Sequence, residues 1–235
     1  RKYPDFDTTS AVITVPAYFS ALQAEATKRA GQLAGFDYVV LLQEPIAAAM
    51  AYGFNNTADE NWLVYDLGGG TFDVALISSK EGILTVLGHG GNNFLGGKDF
   101  DNLIIDQVIR PAILEKYELK EFDRNNPKYR SVFAKLKALA ETSKMELSQY
   151  TNTTIEIDEI GQDNKGNDIY LSIDFKRSDF EDLIRPKVNE TIVLAQKTIE
   201  DAGVKSTAID KIVLVGGPTQ IPFLRKELEK EFQAS

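Results

Sequence analysis

Apolar residues recur along this chain at two spacings, and the switches between them mark out the elements. AVITV at 11–15 is an unbroken, β-branched run closed by Pro16, and VVLL at 39–42 is a second such run, so both predict buried strands. Between them, Ser20 and Gln23 form a capping box that opens a helix, and Gly35 stops it. Glu44 and Pro45 then open AAAMAY, a short helix with proline in its first turn. WLVYDL, TFDVALIS and ILTVLG follow with tight connections and predict an antiparallel meander, after which GHGGNN reads as a loop.

Helical spacing resumes over 99–117, where Leu103, Ile104, Val108 and Ile109 recur on one face, and again over 128–147. TTIEIDEI and IYLSIDF alternate on either side of DNKGND, a hairpin pattern. Ser178 and Glu181 make a second capping box for a helix that runs to about residue 202, with Gly203 as its stop. KIVLV at 211–215 predicts a strand, Gly216 and Gly217 break it, and Pro222 opens a last helix through LRKELEKEF. The order mixes strands and helices as α/β or α+β chains do, with no repeat, low-complexity tract or long linker. The charged helical faces at 135–146 and 225–231 read as solvated surface.

Composition narrows the function classes. The 235 residues, 43% hydrophobic, suffice for a sizeable core. A net charge of −9 without a basic run argues against a nucleic-acid partner. The absence of cysteine excludes disulfides and thiolate metal sites, and fits a reducing, cytoplasmic location. The apolar stretches are too short to cross a bilayer, so no membrane is expected. No signal peptide is visible, and a start at Arg1 without Met is expected of a fragment. Asn55, Asn152 and Asn189 open glycosylation patterns that read as chance matches.

The candidate chemistry sits in DLGGGTFD at 66–73, where three glycines interrupt two strands between two aspartates. Successive backbone N–H groups at Gly68, Gly69 and Gly70 suit a phosphate, and the Thr71 hydroxyl adds a donor. Asp66 and Asp73 repel a phosphate directly but serve it through a divalent cation such as Mg²⁺, which binds one or two carboxylates together with phosphate and water. Taken alone, the glycines favour a plain hairpin turn. VLVGGPTQIP at 213–222 is a second strand–glycine break leading into a helix, a setting that suits an anion, although its glycine pair alone also reads as a turn.

Other motifs fail. In GGNNFLGGK the lysine comes one residue late for a phosphate-binding P-loop, and Asp99 follows Lys98 where Ser or Thr belongs. DNKGND has its glycine too early for a calcium loop. His89, the single histidine, leaves no catalytic triad or multi-histidine metal site and reads as an exposed loop residue. Trp62 and most phenylalanines read as core.

VITVPAYF, QEPIAAAMAYG, VYDLGGGTFDVALI, LGGKDFDN, KMELS and IVLVGGPTQIP together resemble the landmarks of 70-kilodalton heat-shock chaperones, the DnaK-like family within the actin and sugar-kinase superfamily, in order and nearly end to end. That resemblance implies an actin-like ATPase fold of the ribonuclease H-like α/β class. Residues 1–59 would be part of the lobe I core, 60–97 and 176–235 the base of lobe II, and 98–175 a helix-and-hairpin outer subdomain. By the same resemblance the family's first phosphate loop and catalytic lysine precede Arg1, so this chain alone is expected to hydrolyse little ATP.

The resemblance also implies residue roles. Glu44 matches the glutamate that positions Mg²⁺ and the attacking water, Asp66 the metal-side aspartate, Thr71 the threonine near the γ-phosphate and Asp73 a second aspartate near the water. Gly68, Gly69 and Gly70 match the β/γ-phosphate loop, and Gly216 and Gly217 the glycines by the α-phosphate and adenosine. Glu141, Lys144 and Ser148 match ribose and adenine contacts. Their i, i+3 and i+7 spacing puts them on one helical face, which otherwise reads as solvated. ATP and ADP with Mg²⁺ are the implied ligands. Unfolded peptides bound by a further domain, a J-domain co-chaperone and a nucleotide-exchange factor gripping lobe II are the implied partners.

The chain departs from the family pattern at several positions. Met145 and Gln220 stand where relatives carry arginines, Lys98 where an acid is usual, Pro218 where serine is common, and Ala24 where relatives carry an arginine linked to interdomain signalling. These departures keep open a non-hydrolysing nucleotide-binding co-chaperone. A sugar or acetate kinase-like phosphotransferase is a second alternative, set against the six landmarks; a filament-forming relative has no support in the sequence.

Overall fold

A computed structural model describes residues 9–17, 19–53, 58–158 and 160–233. The fold is mixed α/β, with three sheets among the described residues, and the chain divides into two compact units. One comprises Arg1–Phe94, Thr191–Thr219 and Glu227–Ser235; the other comprises Leu95–Glu190 and Gln220–Lys226.

In the first unit, β1 (Ser10–Val15) and β2 (Tyr38–Gln43) pair in parallel, joined by α1 (Ala21–Leu33). The capping box forms as expected: Gln23 N donates to Ser20 Oγ at 3.4 Å, and Ser20 N donates to Gln23 Oε1 at 2.9 Å. Gly35, at φ +97°, follows the helix end. These strands are not buried on both faces as their apolar runs predict. Exposure alternates along β1, with Val12 65% and Val40 59% exposed, because among the described residues helices cover one face only.

The main sheet of this unit runs β5-β4-β3-β8. β3 (Glu60–Leu67), β4 (Phe72–Lys80) and β5 (Ile83–Asn92) form the antiparallel meander, and β8 (Lys211–Val215) adds in parallel to β3. Central position buries β4 and nearly all of β3. On one face, Ala49 of α2 (Glu44–Gly53) packs with Trp62, Val64, Ala75, Ile77 and Val213. Each large side chain so removed from water contributes about 1.5–3 kcal/mol. Trp62 is fully buried, edge-on to Tyr52 at 5.6 Å, and its Nε1–H donates to Glu60. From β3, Tyr65 donates its hydroxyl to Thr191 of α6 (Arg177–Asp201).

GHGGNN is not a loop except at Asn93, where the turn after β5 begins. Residues 87–92 continue β5, because pairing with β4 supplies the order that glycine lacks on its own; His89 is exposed, but lies on a strand.

The second unit holds α3 (Gly97–Ile104), a π-helical turn (Ile105–Ile109), α4 (Arg110–Lys116), α5 (Arg130–Gln149) and the hairpin β6 (Asn152–Ile157) and β7 (Leu171–Lys176). Pro111 explains the wide turn: it has no N–H, and its ring displaces the carbonyl four residues earlier, within the π segment. Phe122 packs on Tyr129 and Phe133 with centroids 5.0 Å from each.

The capping box expected at Ser178 does not form. α6 begins one residue earlier, where Arg177 N donates to Thr151 O at 2.9 Å, so a tertiary partner replaces the cap; Ser178 Oγ donates to Asp179 instead. At the other end, Gly203 (φ +69°) donates to Glu200 O and Val204 to Ile199 O, which together close the helix as its glycine predicts. α7 (Pro222–Phe232) ends the described chain.

No helix among the described residues is long and apolar enough to cross a membrane. The glycosylation pattern opened by Asn55 lies outside the described residues.

Candidate phosphate-loop site

DLGGGTFD is a hairpin. β3 ends at Leu67 and β4 begins at Phe72, and Gly68 N donates to Thr71 O at 2.9 Å across the turn between them. Antiparallel register sets Asp66 directly opposite Asp73. Such pairs bring side chains close, and like charges there repel. Asp66 is 9% exposed and Asp73 1%. Burial, and then the Asp73 charge, push the Asp66 carboxyl up to about 6. Glu44 opens α2 directly after β2, and its carboxyl is raised by burial, then by Asp66, then by Asp73. Three carboxylates from α2, β3 and β4 therefore lie in one another's field, in the first unit.

This donor set fits a hard divalent cation. All its ligating atoms are oxygens, and both causes acting on Asp66 favour its neutral form, so a cation relieves them. Among the described residues no group of three or more acidic, histidine or cysteine side chains is gathered tightly enough to cage a metal alone. Magnesium fits that arrangement, because it takes one or two carboxylates and completes its shell with phosphate and water.

The second glycine break comes beside the first. Val215 pairs with Asp66, so Gly216 follows on next to Leu67. Gly216 has φ +92°, and a Cβ there would sit 2.6 Å from the Leu67 carbonyl carbon. Its lack of side chain lets β8 close against the start of the triglycine turn. Gly69 and Gly217, in contrast, have nothing within 4 Å of a Cβ position, so space remains beside their backbone for a ligand. Thr219 N and Oγ1 both donate to Gly216 O and hold the turn.

In the second unit, Glu141, Lys144 and Ser148 share a face of α5 but differ in setting. Glu141 is exposed, Ser148 is half-buried, and Lys144 is 9% exposed and ion-paired to Asp101. Ser148 Oγ donates to Lys144 O at 3.1 Å. Met145 beside them is 62% exposed.

Two residues escaped the sequence reading. Gly91 lies opposite Asp73 across β4 and β5, and a Cβ there would fall 2.5 Å from Phe72 O and 3.4 Å from Asp73 Oδ1. Its signal was the glycine run read as loop. Asp101 is an acid on the apolar stripe of α3, where Gly97, Phe100 and Ile104 are its buried neighbours; helical spacing alone could have flagged it.

A family model described as Hsp70 protein matches residues 2–235. The chain belongs to the Hsp70 family. It is thereby an ATPase-type domain of a DnaK-like, ATP-binding chaperone, and the family generally works with peptides and co-chaperones.

Proposed function

We propose that this member of the Hsp70 family binds ATP and ADP at its triglycine turn and, in the full-length protein, hydrolyses ATP with water to ADP and phosphate. The observation that carries the reading is the pair Asp66 and Asp73, facing one another and buried at the base of a turn built from Gly68, Gly69, Gly70 and Thr71, with Glu44 in their field. Glycine N–H groups hold the β- and γ-phosphates, and the Thr71 hydroxyl donates to the γ-phosphate. Asp66 would hold Mg²⁺ and Glu44 would serve it through water, and the cation would supply the charge neutralisation that phosphoryl transfer needs.

Glu44 and Asp73 orient the attacking water by accepting its O–H bonds on their carboxylate oxygens. Gly216 and Gly217 lie by the α-phosphate and adenosine, and Glu141, Lys144 and Ser148 serve the sugar and base.

The same reading gives the chain an actin-like arrangement, with residues 1–59 in lobe I, 60–97 and 176–235 in the lobe II base and 98–175 as its outer subdomain. Nucleotide state then controls peptide binding in a further domain, with a J-domain co-chaperone and an exchange factor as partners in the cytoplasm. Calorimetric titration of the full-length protein with ATP and Mg²⁺ tests the site. Asp66→Asn and Thr71→Ala are expected to weaken binding or turnover; if neither changes either quantity, the assignment is wrong.

A further inference from the structure

Glu60, Trp62, Val64 and Asp66 alternate along β3 and therefore share one face of the main sheet. Their partners continue that face, with Asp73, Ala75 and Ile77 on β4 and Lys211, Val213 and Val215 on β8. α2 lies over it, with Ala49 packed on the aliphatic middle. The helix reaches from Glu44, in the field of Asp66 and Asp73, to Gly53, against Trp62. The nine helical steps of α2 and the four strand steps from Asp66 to Trp62 each cover about 13 Å, so the two ends match.

The side chains that α2 buries, Pro45 and Ala49, are small, which leaves the indole as the large body under its last turn. Contact there is close. A Cβ on Gly53 would fall 2.6 Å from Trp62 Cζ3, so glycine lets the helix come down onto the ring. The ring is held at its polar edge. An indole has one N–H donor, which needs a partner when buried. Trp62 is fully buried, and its Nε1–H donates to Glu60 Oε2 at 2.8 Å. Lys211 Nζ donates to both Glu60 carboxylate oxygens at 2.8 Å, which pins that acceptor to β8. A partly exposed ion pair adds little stability. As a bracket it removes the freedom of the carboxylate that orients the ring. At its other end α2 follows β2 without a break, Gln43 closing the strand and Glu44 opening the helix. The helix is thus tethered at Glu44 and rests on the indole at Gly53, so a tilt at the far end turns the near one.

We propose that Glu60 is a positioning residue for the reaction: by holding the Trp62 ring it sets the tilt of α2 and thereby the aim of the Glu44 carboxylate. This rests on the role given to Glu44 above and adds to it the residues, at the opposite end of the sheet, that keep it in place.

The test is ATP turnover by the full-length protein with Mg²⁺, with ADP affinity measured alongside by calorimetry. Glu60→Ala leaves the indole N–H without its acceptor and is expected to lower kcat about tenfold while ADP affinity stays near the wild-type value. Glu60→Gln, whose amide oxygen still accepts that N–H, is expected to recover most of the loss. Gly53→Ala lifts the helix end from the ring without removing a polar group and is expected to lower kcat likewise; it decides the matter where Glu60→Ala is unfolded. In a Glu44→Gln background neither change is expected to lower kcat further, because the side chain they aim is already altered. A purely structural role would lower the melting temperature and leave the kcat of the folded protein alone. Wild-type kcat in a folded Glu60→Ala or Gly53→Ala variant overturns the proposal, and so does an equal loss in the Glu44→Gln background. Failure of both variants to fold overturns it too, because the contact then serves stability. Wild-type kcat in Glu44→Gln overturns the role of Glu44, and the proposal with it.

Discussion

Asp66 is the residue at which stability and function pull apart. Its carboxyl, pushed up to about 6 by burial and by Asp73, keeps its proton in the folded chain at pH values where the unfolded chain has released it. Stability therefore falls as pH rises from about 4 to about 6, between the unfolded and folded values, and stays low above. In the nucleotide-free, metal-free protein, Asp66→Asn is expected to raise the melting temperature at about pH 7.5 by roughly 2–4 °C, and to make no difference near pH 4. A thermal melt at the two pH values checks this; a loss of stability at the higher pH contradicts it. Gly91 acts on the neighbouring acid. Gly91→Ala is expected to displace the backbone at Phe72 and Asp73 and lower kcat by about tenfold or more. Nucleotide affinity should change little, whereas the adjacent Gly90→Ala, which meets Thr198 instead, should leave kcat near that of the wild type in a steady-state ATPase assay.

Elements with their own signals were legible in the sequence. The capping box at Ser20, the meander from β3 to β5 and the hairpin of β6 and β7 each declare themselves in one continuous stretch of sequence. What the sequence concealed depends on partners distant along the chain. β5 continues through GHGGNN because β4 lies alongside, and α6 starts at Arg177 because Thr151 is there to accept its N–H. The site follows the same division. The triglycine turn and its flanking acids were readable, while the nearness of Gly216 to Leu67 required the pairing of β8 with β3. That closeness makes Gly216→Ala costly. A methyl group there combines steric overlap with a left-handed backbone, so a loss of about 2–4 kcal/mol in urea unfolding is expected. A change below about 0.5 kcal/mol would mean that the two strands need not close so tightly.

For the molecule as a whole, ligand and cation should act together. With Asp66, Asp73 and Glu44 sharing one field in a chain of net charge −9, ADP alone adds negative charge and Mg²⁺ alone lacks its phosphate ligands. ADP with Mg²⁺ at about 100 times its dissociation constant is expected to stabilise the full-length protein by about 2.7 kcal/mol. Calorimetric melts should show this exceeding the sum of the separate effects, and strict additivity would count against a shared site. The protein also carries the means to watch this happen. Trp62 is its single tryptophan, wholly enclosed between β3, the strand that bears Asp66, and α2, the helix that Glu44 opens. All of the chain's indole emission thus arises at one place, dry and beside the ring of Tyr52. If α2 lifts from the sheet, that emission moves to longer wavelength as water enters. An unlabelled sample in a fluorimeter thereby reports whether the carrier of Glu44 is seated, residue numbers far from it contributing no background.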